Sequence, residues 1–190
     1  GSGNESQEKR VVGMRQVHGS DVHVLDAAHD GSEIVADGII TREAGVTLLV
    51  RAADCVPLLL ADPGRGVIGA VHSGRPGLVA GVVPRAVAAM RELGAEDIVA
   101  WLGPHVCGGC YEVPEGMRAD VSRVVPEAYA ETSWGTPAVD IGAGVRAQLV
   151  AGGVRINEID RCTMEDQDLW SYRREGTGAG RLGGLIRIRP

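Results

Sequence analysis

Three short apolar runs lie close together in the first half of the chain, Val46 to Val50, Val56 to Leu60 and Val67 to Val71. They are continuous in Val, Leu and Ile rather than alternating, and Asp-bearing or Gly-rich breaks separate them. This pattern predicts strands buried on both faces within one core sheet. From Leu78 to Leu93 the period changes: Val79, Val82, Val83, Ala86, Val87, Met90 and Leu93 recur at helical spacing, with Arg85, Arg91 and Glu92 on the opposite face. Pro84 has no place in a helix interior, so the regular helix either begins near Gly81 or kinks there, and Gly94 ends it. Asp97 to Leu102 returns to strand character, ahead of the turn-rich GPHVCGGCYEVPEG. Further helices are predicted over Arg118 to Val125 and over Ile141 to Val150, the latter capped by Asp140. Leu185 to Arg189 alternates apolar residues with Arg, as a half-exposed terminal strand does. Strands and helices interleave with no regular βαβ period and no glycine-rich phosphate fingerprint directly before a helix. A doubly wound nucleotide-binding sheet is therefore disfavoured, and an α+β fold is expected.

At 190 residues the chain fits one domain, expected over residues 11–190, able to bury roughly 70% of the surface of its unfolded form. Residues 1–10 are polar and aperiodic and read as a disordered start or a cloning remnant. No apolar run approaches the ~20 residues that span a bilayer. A formal charge of −6 and a pI near 5.4 argue against binding a nucleic-acid backbone, although local arginines can still hold a small anion. Four cysteines without a secretory leader read as reduced thiols of a cytoplasmic protein.

The chemistry-bearing candidates begin with His18 in RQVHG, Cys55 in AADCVPLLL and His72 in GAVHSG, each at or just beyond the end of a β-like run. Brought together, two imidazoles and a thiolate would form a zinc site with one position open. Such an ion acts as a Lewis acid and makes water nucleophilic at neutral pH. Two other readings stay open: Cys55 as a nucleophile with His72 as its base, or three unrelated residues, the cysteine serving as a small hydrophobe. Asp54 either orients one of the histidines or caps a backbone amide at a strand end. Cys107-Gly-Gly-Cys110, with His105 upstream and Cys162 distant, is a weaker metal candidate, expected to be ordinary reduced thiols in a tight turn. Near the C-terminus Ser171, Tyr172, Arg173, Arg174, Thr177 and Arg181 gather among glycines, a composition suited to a phosphate or carboxylate group.

QVHG, ADG..T, ADCVPLLL.D, GAVHSG, GP......YEV, CT and SYRR...TG..R occur in this order from about Arg15 to Arg189. By these motifs the chain resembles the laccase-domain family, also called the polyphenol oxidase or multicopper polyphenol oxidase family. The resemblance implies a four-layer α/β/β/α fold like that of cysteine-dependent bacterial toxin domains, with zinc held by His18, Cys55 and His72. It also implies phosphorolysis of adenosine, inosine and methylthioadenosine, together with adenosine deamination. Two departures accompany it. Arg75-Pro76 stands where the family has Trp-Arg, and part of the usual amino-terminal region is expected to be absent.

The expected activity is thus a zinc-dependent purine nucleoside phosphorylase with adenosine deaminase side activity. Its expected catalytic and metal residues are His18, Cys55 and His72, with Arg173, Ser171 and Arg75 on the substrates. The partners expected are a small nucleoside and phosphate, for a monomer or homodimer that engages neither nucleic acid nor membrane. The alternatives are a cysteine hydrolase acting on an amide such as a cell-wall precursor, and a member that binds zinc or nucleoside without turnover. Copper oxidase chemistry is short of ligands: beyond the first site only His23, His29 and His105 remain, and no His-X-His pair exists. Adventitious copper could still occupy a site made of two His and one Cys.

Overall fold

In the computed structural model residues 10–189 are described. Of residues 1–10, the expected disordered start, 1–9 lie outside the described residues, whereas Arg10 opens strand β1 (Arg10–Val12). Five strands follow in succession: β2 (Val22–Leu25), β3 (Gly38–Thr41), β4 (Val46–Ala52), β5 (Val56–Asp62) and β6 (Val67–Ser73). Helices α1 (Arg75–Ala80) and α2 (Val82–Glu92) lead to β7 (Val99–Leu102) and α3 (Glu115–Val124). The chain continues through β8 (Tyr129–Glu131), β9 (Pro137–Val139), α4 (Ile141–Ala151), β10 (Arg155–Glu158), α5 (Tyr172–Glu175) and β11 (Leu182–Arg187). No helix of the described residues is long and apolar enough to cross a membrane.

The main sheet has six strands in the order β10-β7-β5-β6-β3-β2. It is mixed: β5 runs antiparallel to both β6 and β7, whereas β2–β3 and β7–β10 are parallel pairs. All of β6 is buried, as is all of β5 except Leu59, which is half-buried, as their unbroken apolar runs predict. The third run behaves differently. Strand β4 buries Val46, Leu48, Val50 and Ala52 but exposes Arg51, and it pairs with β1 and β11 in a separate three-stranded sheet. The Ala53-Asp54-Cys55 turn carries the chain from one sheet to the other, so three runs adjacent in sequence do not make one sheet.

Two apolar cores share the six-stranded sheet. On one face, Leu58, Leu60, Val67 and Val71 meet Val82, Val83, Ala86 and Met90 of α2 together with Val145 and Leu149 of α4. On the other, Ile39, Ile68 and Ala70 meet Val46, Leu48 and Val50 of β4. Each fully buried Leu or Ile here contributes roughly 1.5–3 kcal/mol relative to an exposed one. The layers are thus helices, six-stranded sheet and three-stranded sheet. The outer face of the small sheet leaves Val11 and Leu185 56% and 58% exposed, so the described residues lay down three of the four layers the resemblance implies. The cause is the alternation in β4 and β11, which buries only one side.

The long helical period breaks in two at Gly81, whose φ of 84° is left-handed. Pro84 then falls in the first turn of α2, where its missing N–H is not needed. Asp140 caps α4 by accepting from Ala143 N at 2.9 Å, as expected.

Candidate metal centre

Two bends and one strand end deliver the principal group. His18 sits on the bend between β1 and β2, Cys55 on the turn between β4 and β5, and His72 near the end of β6 opposite Pro57. One donor atom from each lies within 4.8 Å of the other two. The imidazoles meet edge to face, with ring centroids 4.9 Å apart and an interplanar angle of 86°.

A buried carboxylate organises this arrangement. Asp37, 0% exposed, takes the backbone N–H groups of Val17 and Gly19 on Oδ1 and that of His18 on Oδ2, all at 3.0 Å. The same Oδ2 lies 2.7 Å from His72 Nδ1. One side chain therefore shapes the bend that carries one imidazole and orients the other. With Nδ1 committed to Asp37, the second ring nitrogen of His72 is left for the cluster. Burial opposes ionisation of Asp37, but the hydrogen bonds from His72, Gly19 and Val17 outweigh it and hold the carboxyl below its usual 3.8.

The same balance acts on the ligands. Burial disfavours the Cys55 thiolate, yet hydrogen bonds and charge attraction from His18 and His72 bring the thiol down from 9.0 to about 7. Burial would strip the proton from His72, but Asp37 and Cys55 hold it on, up to about 9. Each group thus favours the charged form of the other, and a divalent cation can take the place of the proton on His72. The donor set fits zinc: two imidazoles and a soft thiolate, a carboxylate behind one ring, and three ligands rather than four. Close approach is built in at Gly74, where a Cβ would stand 2.9 Å from Cys55 Sγ and 3.0 Å from His18 Cδ2.

Asp54 does not orient a histidine. Its Oδ1 accepts from Thr163 Oγ1 at 2.7 Å and its Oδ2 from Arg173 N at 2.8 Å, the second being the backbone cap that was its other reading. The orienting role belongs to Asp37, whose position in VADGII resembles an ordinary turn aspartate before glycine. The usable signal was a carboxylate set among apolar residues.

The triad opens into a cleft of about 760 Å³ lined also by Gln16, Arg51, Tyr111, Tyr172, Arg173 and Arg181. Arg51, Arg173 and Arg181 form no salt bridge among the described residues. Arg173 lies 4.7 Å over the Tyr111 ring and donates to the Glu112 carbonyl. The rest of the C-terminal cluster disperses. Ser171 is buried and caps α5, accepting from Arg174 N at 3.2 Å. Arg174 turns inward to the carbonyls of Thr163, Met164 and Leu169, and Thr177 is exposed outside the cleft. Arg75 opens α1 and lines a separate depression with Met117 and Asp120, not this cleft. Sequence reasoning gave no role to Arg51, which nothing in its local pattern marks, or to Tyr111, although the YEV motif contains it.

A second group gathers elsewhere: Cys107, Cys110, Cys162 and Glu165. All four cysteines of the chain are free thiols, and Cys107-Cys110 forms a tight turn in which Cys110 N donates to Cys107 O at 3.1 Å. His105 is not part of the group; its Nδ1 donates to Gly103 O at 2.8 Å, and its Nε2 faces Glu158 at 3.8 Å. Among the described residues, neither donor group includes His23, His29 or His105, so no trinuclear copper arrangement assembles.

Residues 3–189 match the family described as multi-copper polyphenol oxidoreductase laccase. A purine nucleoside phosphorylase of Streptomyces coelicolor is 58% identical over 93% of this chain and 74% of its own length. Another of that name, from Streptomyces griseus, is 54% identical over 93% of this chain and 73% of its own length. The crystal structure of YlmD from Geobacillus stearothermophilus superposes with a TM-score of 0.84 at 33% identity, covering 96% of this chain and 74% of that one.

Proposed function

Because the chain belongs to the multi-copper polyphenol oxidoreductase laccase family, and its relatives carry the name purine nucleoside phosphorylase, we propose that it cleaves purine nucleosides with phosphate, using zinc at His18, Cys55 and His72. The observation that carries this reading is the convergence of those three donors, within 4.8 Å of one another, at the wall of a cleft lined by guanidinium groups that form no salt bridge among the described residues. When bound, the ion supplies Lewis acidity at the floor of the cleft.

The chain's own residues provide the rest. Arg51, Arg173 and Arg181, which form no salt bridge among the described residues, offer forked N–H donors to a phosphate dianion. Tyr111 and Tyr172 present ring faces against which a purine stacks. Asp54 holds the Arg173 backbone, whose guanidinium lies over the Tyr111 ring. In phosphorolysis the bond from ribose C1′ to purine N9 breaks with its electron pair leaving on the base. A phosphate oxygen bonds to C1′, and the proton carried in by the phosphate ends on the released purine. Adenosine, inosine and methylthioadenosine differ at purine C6 or ribose C5′ and share this reacting bond, so one site serves all three. Deamination of adenosine, at C6, is the accompanying hydrolytic activity we assign to the same cleft.

Dialysis against a chelator followed by zinc readdition tests the proposal on inosine in phosphate buffer. Turnover should vanish and return, and unchanged turnover in metal-free protein would reject it. A Cys55 thiol lowered by its neighbour His72 also suits a cysteine nucleophile attacking an amide. Quenched reactions followed by intact-mass measurement distinguish the two, since only the nucleophile reading yields an acyl adduct on Cys55.

A further inference from the structure

The sulfur atoms of Cys107, Cys110 and Cys162 and a carboxylate oxygen of Glu165 all lie within 4.8 Å of one another. Tetrahedral zinc with Zn–S of about 2.3 Å places its sulfurs roughly 3.8 Å apart, so the four donors can close around one ion with small side-chain adjustments. Cys107 and Cys110 come from one tight turn, and Cys162 and Glu165 from another 55 residues on, brought alongside by the bridge between His105 and Cys162. Backbone amides already point at two of the sulfurs. Cys107 N donates to Cys162 Sγ at 3.3 Å, and the Gly109 amide is directed at Cys107 Sγ. Amide donors of this kind stabilise thiolates and fix their direction. Cys110 Sγ and Glu165 Oε1 are 3.5 Å apart, and no histidine competes for the position.

We infer that Cys107, Cys110, Cys162 and Glu165 form a second zinc site, closed and structural, distinct from the cleft triad. Four protein donors leave no open position, which sets it apart from a three-ligand catalytic centre. Its consequence reaches the cleft through two neighbours: Thr163, next to Cys162, donates to Asp54 beside Cys55. Tyr111, next to Cys110, forms part of the cleft wall under Arg173. A metal clasp between the two turns would hold both contacts in register.

The test uses the full chain with the cleft triad disabled by Cys55→Ala and His72→Ala. Elemental analysis should find about one zinc per chain in this variant, and none after Cys110→Ser is added. Cobalt replacement should give the variant the strong near-ultraviolet thiolate charge-transfer absorption of a three-sulfur site. Glu165→Gln should weaken zinc retention against a chelator by tenfold or more while keeping that absorption. A triad-disabled protein that holds no zinc and shows no cobalt–thiolate band would overturn the inference. So would a non-reducing intact mass two hydrogens short, because a disulfide within the cluster removes two ligands. The cobalt measurement leaves the cluster itself unaltered, so it remains decisive if Cys110→Ser fails to fold. Failure here leaves the cleft reading untouched, since chelator-dependent activity tests that separately.

Discussion

Replacing Asp37 with Asn should cost both stability and metal affinity, and the two costs follow from one atom. The asparagine oxygen can keep the Val17 and Gly19 amides that Oδ1 receives at 3.0 Å. Its nitrogen then occupies the place of Oδ2 and faces two donors, the His18 amide and His72 Nδ1. Leaving a buried donor unpaired costs about 1–3 kcal/mol, and losing the charge-assisted bond to His72 about 1.5–3, so a total of roughly 3–5 kcal/mol is expected. The alternative response is worse for the metal. If His72 accepts from the new amide nitrogen, its proton moves to the ring nitrogen that faces Cys55, and that imidazole can no longer ligate. Zinc affinity should fall 10- to 100-fold or more, the usual effect of losing a carboxylate behind a histidine ligand. Denaturant unfolding of the metal-free protein measures the first quantity, and competition with a chromophoric chelator the second. There is also a pH signature. The Asp37 carboxyl is held below 3.8 in the folded protein, so its contribution is present above that pH and is lost as pH falls through the lowered value. The Asn variant lacks that acid-sensitive component. A stability loss below about 1 kcal/mol with unchanged zinc affinity would refute the assignment of Asp37 as organiser of the site.

Alkylation of Cys55 in metal-free protein should rise with an inflection at about 7 rather than 9.0; His72→Ala should move the inflection upward, and zinc should suppress the reaction. Gly74→Ala keeps an ordinary backbone but puts a methyl 2.9 Å from Cys55 Sγ, so calorimetric zinc titration should show at least about tenfold weaker binding with thermal unfolding little changed. Arg51→Ala and Arg173→Ala each remove a guanidinium from the cleft wall; if that wall holds phosphate, steady-state kinetics should show the phosphate KM raised about 10- to 100-fold, the equivalent of one charge-assisted bond of 1.5–3 kcal/mol, with the nucleoside KM changed less.

The elements legible in the sequence are those whose pattern and packing agree. Strands β5 and β6 are unbroken apolar runs because helices cover one face and a second sheet the other, and α2 and α4 show their buried stripe and cap directly. Strand β4 looked the same over five residues, yet its side chains alternate in burial; Leu49 and Thr47 are apolar or β-branched enough to hide that alternation. Strands β1, β2 and β3 are three or four residues long, too short for a period to stand out. At the site, residue type alone marked His18, Cys55 and His72. Asp37 and Glu165 were missed because each sits where an acidic residue has an ordinary local explanation, one before a glycine and the other in the polar stretch MEDQD. What brings them to the two donor groups is a contact partner 35 or 55 residues away, which no local pattern contains.

Backbone strain ties these observations together. Among the described residues only His18 and Asp54 are non-glycine residues with positive φ, 59° and 100°. One is a member of the triad and the other adjoins Cys55. A left-handed backbone at a residue with a Cβ costs roughly 1–2 kcal/mol, so each bend persists only where surrounding contacts over-determine it. For His18 those contacts are the three consecutive amides gathered by Asp37. For Asp54 they are its own carboxylate, held by Thr163 and by the Arg173 backbone. Two carboxylates thus do parallel work, one holding the bend that delivers an imidazole and the other the turn that delivers the thiolate. The second anchor, Thr163, stands on the turn that Cys162 and Glu165 would fasten to Cys107 and Cys110. The geometry of the cleft triad therefore depends on a chain of contacts that ends at the other thiol cluster, which gives a clasp there a mechanical reason to exist.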